Sequence, residues 1–156
     1  MSKSVSRVEE AARELGLSIE VRRFSQGTKT AADAARAIEC EVGQIVKSLV
    51  FVADGEPLLA LTSGANRADE RKLAALIGAS EVRRATPEEA RRATGFAIGG
   101  TPPFGHPARL RVLVDSDLLV YPELWAAAGT PDAVFPIRPD DLLRASGGTP
   151  AGFVEG

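Results

Sequence analysis

An apolar stretch interrupted by a lysine constrains the fold of this chain more than any other segment. Residues 45–52 read Ile-Val-Lys-Ser-Leu-Val-Phe-Val, and their β-branched and aromatic side chains are typical of a strand. The segment 54–57, Asp-Gly-Glu-Pro, has turn chemistry, and a second apolar run follows at 58–62. We therefore predict that the two runs pair as an antiparallel hairpin.

Lys47 is the residue of this hairpin that most needs an explanation. Because side chains alternate between the two faces of a strand, Lys47 shares a face with Ile45, Leu49 and Phe51. An ammonium group among apolar side chains must find a partner or lose its charge, since burying it unpaired is costly. Two interpretations follow from this stretch: Lys47 faces a cleft, or the strand lies at an edge of the sheet and the lysine reaches solvent.

The composition is that of a soluble protein with one domain. Of 156 residues, 44% are hydrophobic and 26% charged, which suffices for a core without disulfides or a structural metal. No apolar run approaches the length of a membrane span, and the first segment is amphipathic and charged, unlike a secretory signal. We expect residues 1–156 to form a single cytoplasmic domain that does not associate with membranes.

Composition also argues against several kinds of functional site. Cys40 is the only cysteine and His106 the only histidine, so the chain offers neither a thiolate cluster nor a histidine-rich metal site. It contains no Gly-Lys-Ser/Thr phosphate loop and no Gly-x-Ser-x-Gly nucleophile motif. A net charge of -2 disfavours binding to nucleic acid through an extensive basic surface. A carboxylate site for a hard cation stays open at this point, and we expect no covalent intermediate.

The remaining patterns mix helices and strands without strict alternation, which predicts an α+β domain with a mixed sheet. Residues from about 147 to the end are expected to form a flexible tail. The predicted helices are 5–15, 30–40, 69–77, 86–95, 122–128 and 140–145. The predicted strands are 18–24, 45–52, 58–62, 80–84, 109–115, 118–121 and 133–137.

Three glycines and three prolines fall within residues 99–107, which read Gly-Gly-Thr-Pro-Pro-Phe-Gly-His-Pro. Such a loop can aim the amides of Gly99, Gly100 and Thr101 at one point, as an anion-binding nest or an oxyanion hole requires. Composition by itself favours a simpler interpretation, a rigid connector between two elements. His106 is a candidate general base, but a histidine between glycine and proline is more typical of a loop residue bonded to backbone.

Taken together, these motifs resemble the YbaK-like family of aminoacyl-tRNA deacylases, which are related to the editing insertion domain of bacterial prolyl-tRNA synthetases. The resemblance rests on the Ile45–Leu49 strand with its lysine and on the loop at 99–106. It extends over nearly the whole chain and implies a mixed, barrel-like sheet surrounded by helices. Three further motifs fall in the expected order: Thr28-x-Thr30-Ala31-Ala32-Asp33, Thr62-Ser63-Gly64-Ala65-Asn66-Arg67, and Tyr121-Pro122-Glu123-Leu124-Trp125 through Pro136-Ile137.

The resemblance implies hydrolysis of the ester that joins an incorrect amino acid to tRNA, with no metal and no organic cofactor. Lys47 matches the essential lysine of the family, and Gly100 matches the glycine of its Gly-x-x-Pro loop, whose amide helps to hold the scissile carbonyl. The family is thought to use a free hydroxyl of the terminal ribose to assist the attack. A cation and aligned amides would stabilise charge on the carbonyl oxygen, with one donor worth about 3 kcal/mol of barrier.

The resemblance also suggests a substrate pocket and partners. The loop differs from the Gly-Cys-Ser-Pro-Ile-Gly of the cysteine-clearing members, so alanine, serine, threonine and cysteine all remain open as the amino acid. The partner would be the acceptor end of mischarged tRNA, with a synthetase or elongation factor as a possible carrier. Two alternatives stay open: a non-catalytic module that binds tRNA or a synthetase, and an esterase or amidase for small aminoacyl compounds. The candidate substrate-binding residues are Thr28, Thr30, Asn66, Arg67, Asp69, Thr101, Pro103, Phe104 and His106, and the candidate phosphate contacts are Arg22, Arg23, Arg109 and Arg111.

Overall fold

The computed structural model describes residues 3–24 and 30–156. In these residues the chain forms five α-helices, eight strands and two 3₁₀ turns. The helices are α1 (Lys3–Glu14), α2 (Ala31–Ile38), α3 (Glu70–Ile77), α4 (Pro87–Thr94) and α5 (Pro139–Ser146). The strands are β1 (Arg22–Arg23), β2 (Val46–Ala53), β3 (Glu56–Ser63), β4 (Val82–Arg84), β5 (Arg111–Asp115), β6 (Leu124–Ala127), β7 (Ala133–Ile137) and β8 (Thr149–Ala151), and the 3₁₀ turns are Val42–Gln44 and Ser116–Val120.

The strands form two sheets, one of five strands in the order β4-β2-β3-β5-β8 and one of three in the order β1-β7-β6. The predicted hairpin is confirmed, because β2 pairs antiparallel with β3 from Val46 opposite Ser63 to Ala53 opposite Glu56. Its two connecting residues, Asp54 and Gly55, have positive φ, as a two-residue hairpin loop requires. Since β5 pairs parallel with β3, the sheet is mixed and the fold is α+β. A barrel-like closure is not confirmed, since the described strands lie in two separate sheets.

The two faces of β2 contribute to two different hydrophobic clusters, as the alternation in the sequence predicts. Val46 and Val50 pack in the larger cluster, which joins both sheets and contains the fully buried Phe135. Phe51 packs on the opposite face with Leu73 of α3 and other buried side chains. Lys47 lies on the Phe51 face, at the end of β2 that is farther from the hairpin turn.

Helix boundaries agree well with the local signals in the sequence. The Thr30 hydroxyl accepts a hydrogen bond from the Asp33 amide at the start of α2. Thr86 and Glu89 form a reciprocal capping box at the start of α4, and Gly95 ends that helix with a φ of 80°. These contacts satisfy backbone groups that a helix end leaves unpaired.

The segment 116–128 departs from the prediction. Residues 118–120 of the predicted strand 118–121 lie in a 3₁₀ turn, with Tyr121 just after it, and 122–128 contain strand β6 rather than a helix. Pro122 and the alanines favoured a helix, but β6 pairs antiparallel with β7, and its Trp125 and Ala126 are buried. Burial and strand pairing override the intrinsic helix preference of alanine here. The predicted strand at 18–24 is also shorter than expected, since only Arg22–Arg23 pairs with β7.

The C-terminal residues pack against the rest of the fold, which differs from the expected flexible tail. Strand β8 pairs parallel with β5, and the Phe153 side chain is fully buried in the smaller cluster. Ala68 and Val154 also form an isolated bridge. One aromatic residue near the end of a glycine-rich segment thus anchors the chain, because it removes a large apolar surface from water. In the described part of the chain, none of the helices combines the length and apolar character needed to span a bilayer.

Candidate functional site

A cavity of about 510 Å³ lies where the start of β2, helix α2, strand β6 and the turn at 97–100 meet. Its walls are mostly small and apolar, with a lysine, an arginine and a few hydroxyl groups among them. This is the composition of a pocket that fits a small ligand and orients it with few polar contacts. The residues used below that line it are Thr30, Ala31, Ala34, Lys47, Arg84, Gly99, Thr101 and Trp125.

Lys47 lines this cavity and is half-buried. Strand β4 pairs with β2 only at residues 51–53, so the part of the β2 edge nearer to Lys47 borders the cavity instead. Both interpretations of the lysine therefore hold in part. It lies on a length of strand edge that β4 leaves open, and that edge faces a cleft.

The Lys47 ammonium donates a hydrogen bond to the backbone carbonyl of Asn66. Burial lowers the pKa of Lys47, the nearby Arg84 and Arg67 lower it further, and Asp115 acts in the opposite direction. In the described residues no carboxylate lies within 4.0 Å of this ammonium. The cation therefore keeps donor capacity for a ligand, since an ammonium group has three N–H donors.

The loop that carries Asn66 is held by a buried acid. The Asn66 side-chain amide donates to Asp115 at 2.9 Å and to Asp117 at 2.9 Å. Asp115 is 1% exposed and also accepts the Ser63 amide at 3.0 Å. Sequence reasoning placed Asn66 near the site but missed Asp115. Asp115 could have been noticed in the sequence because it is a carboxylate directly after the apolar residues of β5.

On the opposite wall, Gly100 lies in a tight turn packed against the loop at 129–130. Its amide donates to the Ala97 carbonyl at 3.0 Å, and its carbonyl accepts from the Gly129 amide at 2.9 Å. A Cβ atom at this position would lie 2.6 Å from the Gly129 oxygen and 2.8 Å from the Thr130 Cα. Only glycine fits such a close backbone approach.

The two neighbours of Gly100 in the chain form part of the cavity wall. Gly99 and Thr101 both line it, and Gly99 has a φ of 90°. Within residues 3–24 and 30–156, their N–H groups donate no hydrogen bond, whereas the Gly100 amide is engaged in its turn. The Thr101 hydroxyl donates to the Ala97 carbonyl at 3.2 Å. The amides of Gly99 and Thr101, unlike that of Gly100, are thus free to donate hydrogen bonds to an anion.

The rest of this loop anchors it to the core. Phe104 is 2% exposed and packs on Phe135, with ring centroids 5.6 Å apart. Nε2 of His106 lies 2.9 Å from the Pro102 carbonyl, and burial lowers the pKa of His106 more than this bond raises it. A neutral imidazole that donates to Pro102 fits this arrangement. The structure does not bring Pro103, Phe104 or His106 to the cavity wall.

Other predicted residues surround a neighbouring groove of about 650 Å³, which Lys47 also lines. Arg67 and Asp69 lie there, and the Asp69 carboxylate accepts the amides of Arg71 and Lys72 at the start of α3. Arg84 lines both the cavity and the groove, a position that the sequence did not reveal.

Thr30 lines the cavity, but its hydroxyl already caps α2. Thr28 falls outside the described residues. Of the predicted phosphate contacts, Arg22 stacks over the Trp125 ring at 4.9 Å. Among the described residues, no group of three or more histidine, cysteine or acidic side chains is placed to hold a metal ion.

Comparison with known proteins identifies the family. The profile of the aminoacyl-tRNA editing domain matches residues 25–145, which contain both walls of the cavity. The chain belongs to this family. The resemblance noted in the sequence is confirmed, and the editing domain accounts for most of the chain.

Solved structures and curated sequences agree with this assignment. A protein described as a candidate trans-editing enzyme for prolyl-tRNA synthetase has 48% identity and a TM-score of 0.95, covering 100% of this chain and 99% of that one. The hypothetical protein APE2540 has 28% identity and a TM-score of 0.88, covering 96% and 99%. The proline–tRNA ligase of Nitratidesulfovibrio vulgaris strain DP4 is 37% identical over 92 residues, which are 59% of this chain and 16% of the ligase. The match thus spans about a sixth of that ligase.

Proposed function

We propose that this editing domain hydrolyses the ester bond of tRNA mischarged with a small amino acid: alanine, serine, threonine or cysteine. The observation that carries the proposal is that Lys47, Gly99 and Thr101 line one cavity, in a chain of the editing family. The aminoacyl group would enter the cavity with its carbonyl between these two walls.

The proposed reaction needs no protein nucleophile. A water oxygen adds to the ester carbonyl carbon, and Lys47 with one or two loop amides stabilises the oxyanion that forms. The bond from this carbon to the ribose oxygen then breaks, the proton lost by the water passes to that oxygen to restore the tRNA hydroxyl, and the amino acid leaves with the water oxygen in its carboxyl group. The adjacent free hydroxyl of the ribose assists the attack of water. The engagement of His106 with Pro102 supports this assignment over a histidine base.

The bulk of Trp125 supports a small amino acid, because its indole occupies space on one side of the cavity, whereas Ala31 and Ala34 of α2 leave room beside it. A pocket that selects by volume distinguishes neighbouring amino acids by only about 1–3 kcal/mol per methylene. We therefore expect a graded preference among the four amino acids rather than strict selection.

The proposed partner is the acceptor end of tRNA, with tRNA for proline as the first candidate because curated relatives are proline–tRNA ligases. A net charge of -2 predicts weak binding to uncharged tRNA with a shallow salt dependence. Delivery by a synthetase or elongation factor would compensate for the weak affinity. Such a role places the protein in the cytoplasm.

The test is single-turnover release of amino acid from tRNA for proline charged with alanine, serine, threonine, cysteine or proline. We expect release of at least one non-cognate amino acid well above the uncatalysed rate, and much slower release of proline. A tRNA whose terminal ribose lacks the adjacent hydroxyl should bind similarly and react more slowly. Tight binding without release of any amino acid would instead support a non-catalytic module. Rapid hydrolysis of free aminoacyl esters but not of charged tRNA would support a small-molecule esterase.

A further inference from the structure

Asp115 is the buried acid whose contacts converge on the loop next to Lys47. One carboxylate oxygen accepts both the Ser63 amide at 3.0 Å and the Asn66 side-chain amide at 2.9 Å. The other accepts the Asp117 amide at 2.9 Å. A buried carboxylate with this many donors is costly to replace. One of the three donors is Ser63, the last residue of β3, and another is Asn66 in the turn that follows it.

The turn that follows β3 also contacts Lys47, the proposed catalytic residue, through its backbone. Asn66 holds Asp115 with its side chain and accepts the Lys47 ammonium with its backbone carbonyl. The turn is also fixed from its far end, because the Asp69 amide donates to the Phe153 carbonyl at 2.7 Å and the Glu155 amide donates to the Arg67 carbonyl at 2.9 Å. The position of the ammonium thus depends on a turn that is clamped on two sides.

We propose that Asp115 is a positioning residue that acts through Asn66 to hold the Lys47 ammonium at the cavity. The expected effect on rate rests on the proposed deacylation, whereas the expected effect of Asp115 on the Lys47 ammonium does not. Asp115 does not itself contact Lys47, and it sets the angle of the turn whose carbonyl receives the lysine. Misplacing a group that stabilises a transition state by about 1 Å can cost roughly 100-fold in rate.

Asp115 also acts on Lys47 through its charge. It is the acid that raises the pKa of Lys47 against the lowering effects of burial, Arg84 and Arg67. Removing its charge therefore lowers the pKa of Lys47 further, and the ammonium loses its proton at a lower pH. The other charged groups lining the groove beside Lys47 are Asp69, Glu70, Arg71 and Glu155, and they are unchanged in the test below.

The key variant is Asp115→Asn, which keeps the shape and one acceptor oxygen but removes the charge. Asn66→Ala, at the half-buried partner of this contact, removes the same bond together with the bond to Asp117. Val114→Ala is the matched control, because Val114 is the fully buried neighbour on β5 and its truncation destabilises the core without touching the turn. Two readouts are needed: the pH dependence of single-turnover deacylation, and NMR titration of the lysine side chains.

The inference predicts that Asp115→Asn and Asn66→Ala each slow deacylation roughly 10- to 100-fold, and that the double variant is no slower than the worse single one. The alkaline limb of the pH–rate profile moves to lower pH in Asp115→Asn but not in Val114→Ala. The NMR titration requires no activity, and the four lysines, Lys3, Lys29, Lys47 and Lys72, are assigned with Lys47→Ala. It should show the Lys47 signal titrating at lower pH in Asp115→Asn.

Unchanged titration of Lys47 together with an unchanged rate in Asp115→Asn would overturn the inference and leave the proposed function intact. A wild-type protein that releases no amino acid, while the Lys47 titration still shifts, would instead overturn the proposed function alone. Equal losses of rate in Val114→Ala and Asp115→Asn, with no shift of the alkaline limb, would show that Asp115 contributes to stability and does not position Lys47.

Discussion

The two walls of the cavity are built in different ways. The Lys47 wall is fixed by side-chain hydrogen bonds from distant parts of the chain, since Asn66 reaches Asp115 across 49 residues. The Gly100 wall is fixed by backbone packing, with no room for a side chain beside Gly129. Charge substitutions should therefore act mainly on the first wall and added volume on the second. Measuring the loss of rate and the loss of stability in each variant therefore distinguishes the Lys47 wall from the Gly100 wall.

The largest effect is expected for Lys47→Ala. Loss of one donor to a developing oxyanion lowers turnover roughly 10²- to 10³-fold, and stability should change little because a half-buried cation is removed. Lys47→Arg should not restore the rate, because its planar group does not replace an ammonium. Single-turnover rates and thermal unfolding provide the measurements, with Lys72→Ala as the control at an exposed lysine that lies outside the cavity. Turnover near the wild-type level in a folded Lys47→Ala protein would remove the lysine from the mechanism.

Gly100→Ala should have the next largest effect and should lower both the turnover rate and the stability. The added Cβ would lie 2.6 Å from the Gly129 oxygen, so the turn must move, at a cost of about 1–3 kcal/mol. Displacement of the Gly99 and Thr101 amides should slow turnover at least about tenfold. Gly152→Ala is the matched control, since a Cβ there meets no atom within 4 Å. If Gly100→Ala kept both stability and rate, the glycine wall would not be the rigid element described above.

Local signals predicted one part of this architecture and could not predict another. The hairpin, the capped helices and the importance of Lys47 follow from alternation, turn chemistry and the burial of charge. The role of Asp115, the position of Arg84 and the anchoring by Phe153 depend on which strands become neighbours. A pattern within one segment contains no information on such pairings, and β6 was predicted as a helix for the same reason.

Phe153→Ala tests whether a change near the C-terminus affects the Lys47 wall without affecting the Gly100 wall. Removing this fully buried ring should cost about 3–5 kcal/mol of stability and slow turnover severalfold, because the Phe153 carbonyl fixes the Asp69 end of the turn beside Lys47. Amide chemical shifts should change at 66–69 and remain unchanged at 99–101. Equal changes at both sites would show that the two walls are not independent. Phe153→Leu, which keeps most of the buried volume, should fall between the wild type and the alanine variant.

His106 should have the smallest effect on rate, with His106→Ala less than about fivefold slower because the imidazole bonds to backbone outside the cavity. Its effect on stability should depend on pH. The folded protein holds this imidazole neutral, because burial lowers the pKa of His106. The unfolded chain therefore binds a proton first, and stability falls as the pH drops below the ordinary value of about 6.5. Denaturant unfolding of the wild type and His106→Gln between pH 5 and 7.5 measures this difference. An equal pH dependence in both proteins would contradict the assignment.

In the proposed complex, the aminoacyl end of tRNA occupies the cavity between Lys47 and the turn at 97–100. A crystal structure with a non-hydrolysable aminoacyl-amino-adenosine tests this placement, using the analogue of whichever amino acid is released fastest. We expect a carbonyl oxygen within hydrogen-bond distance of the Lys47 ammonium and of the Gly99 or Thr101 amide, with the amino-acid side chain against Ala31 and Ala34. Binding of the analogue in the groove of Arg67 and Glu155, or with its carbonyl away from both walls, would contradict it.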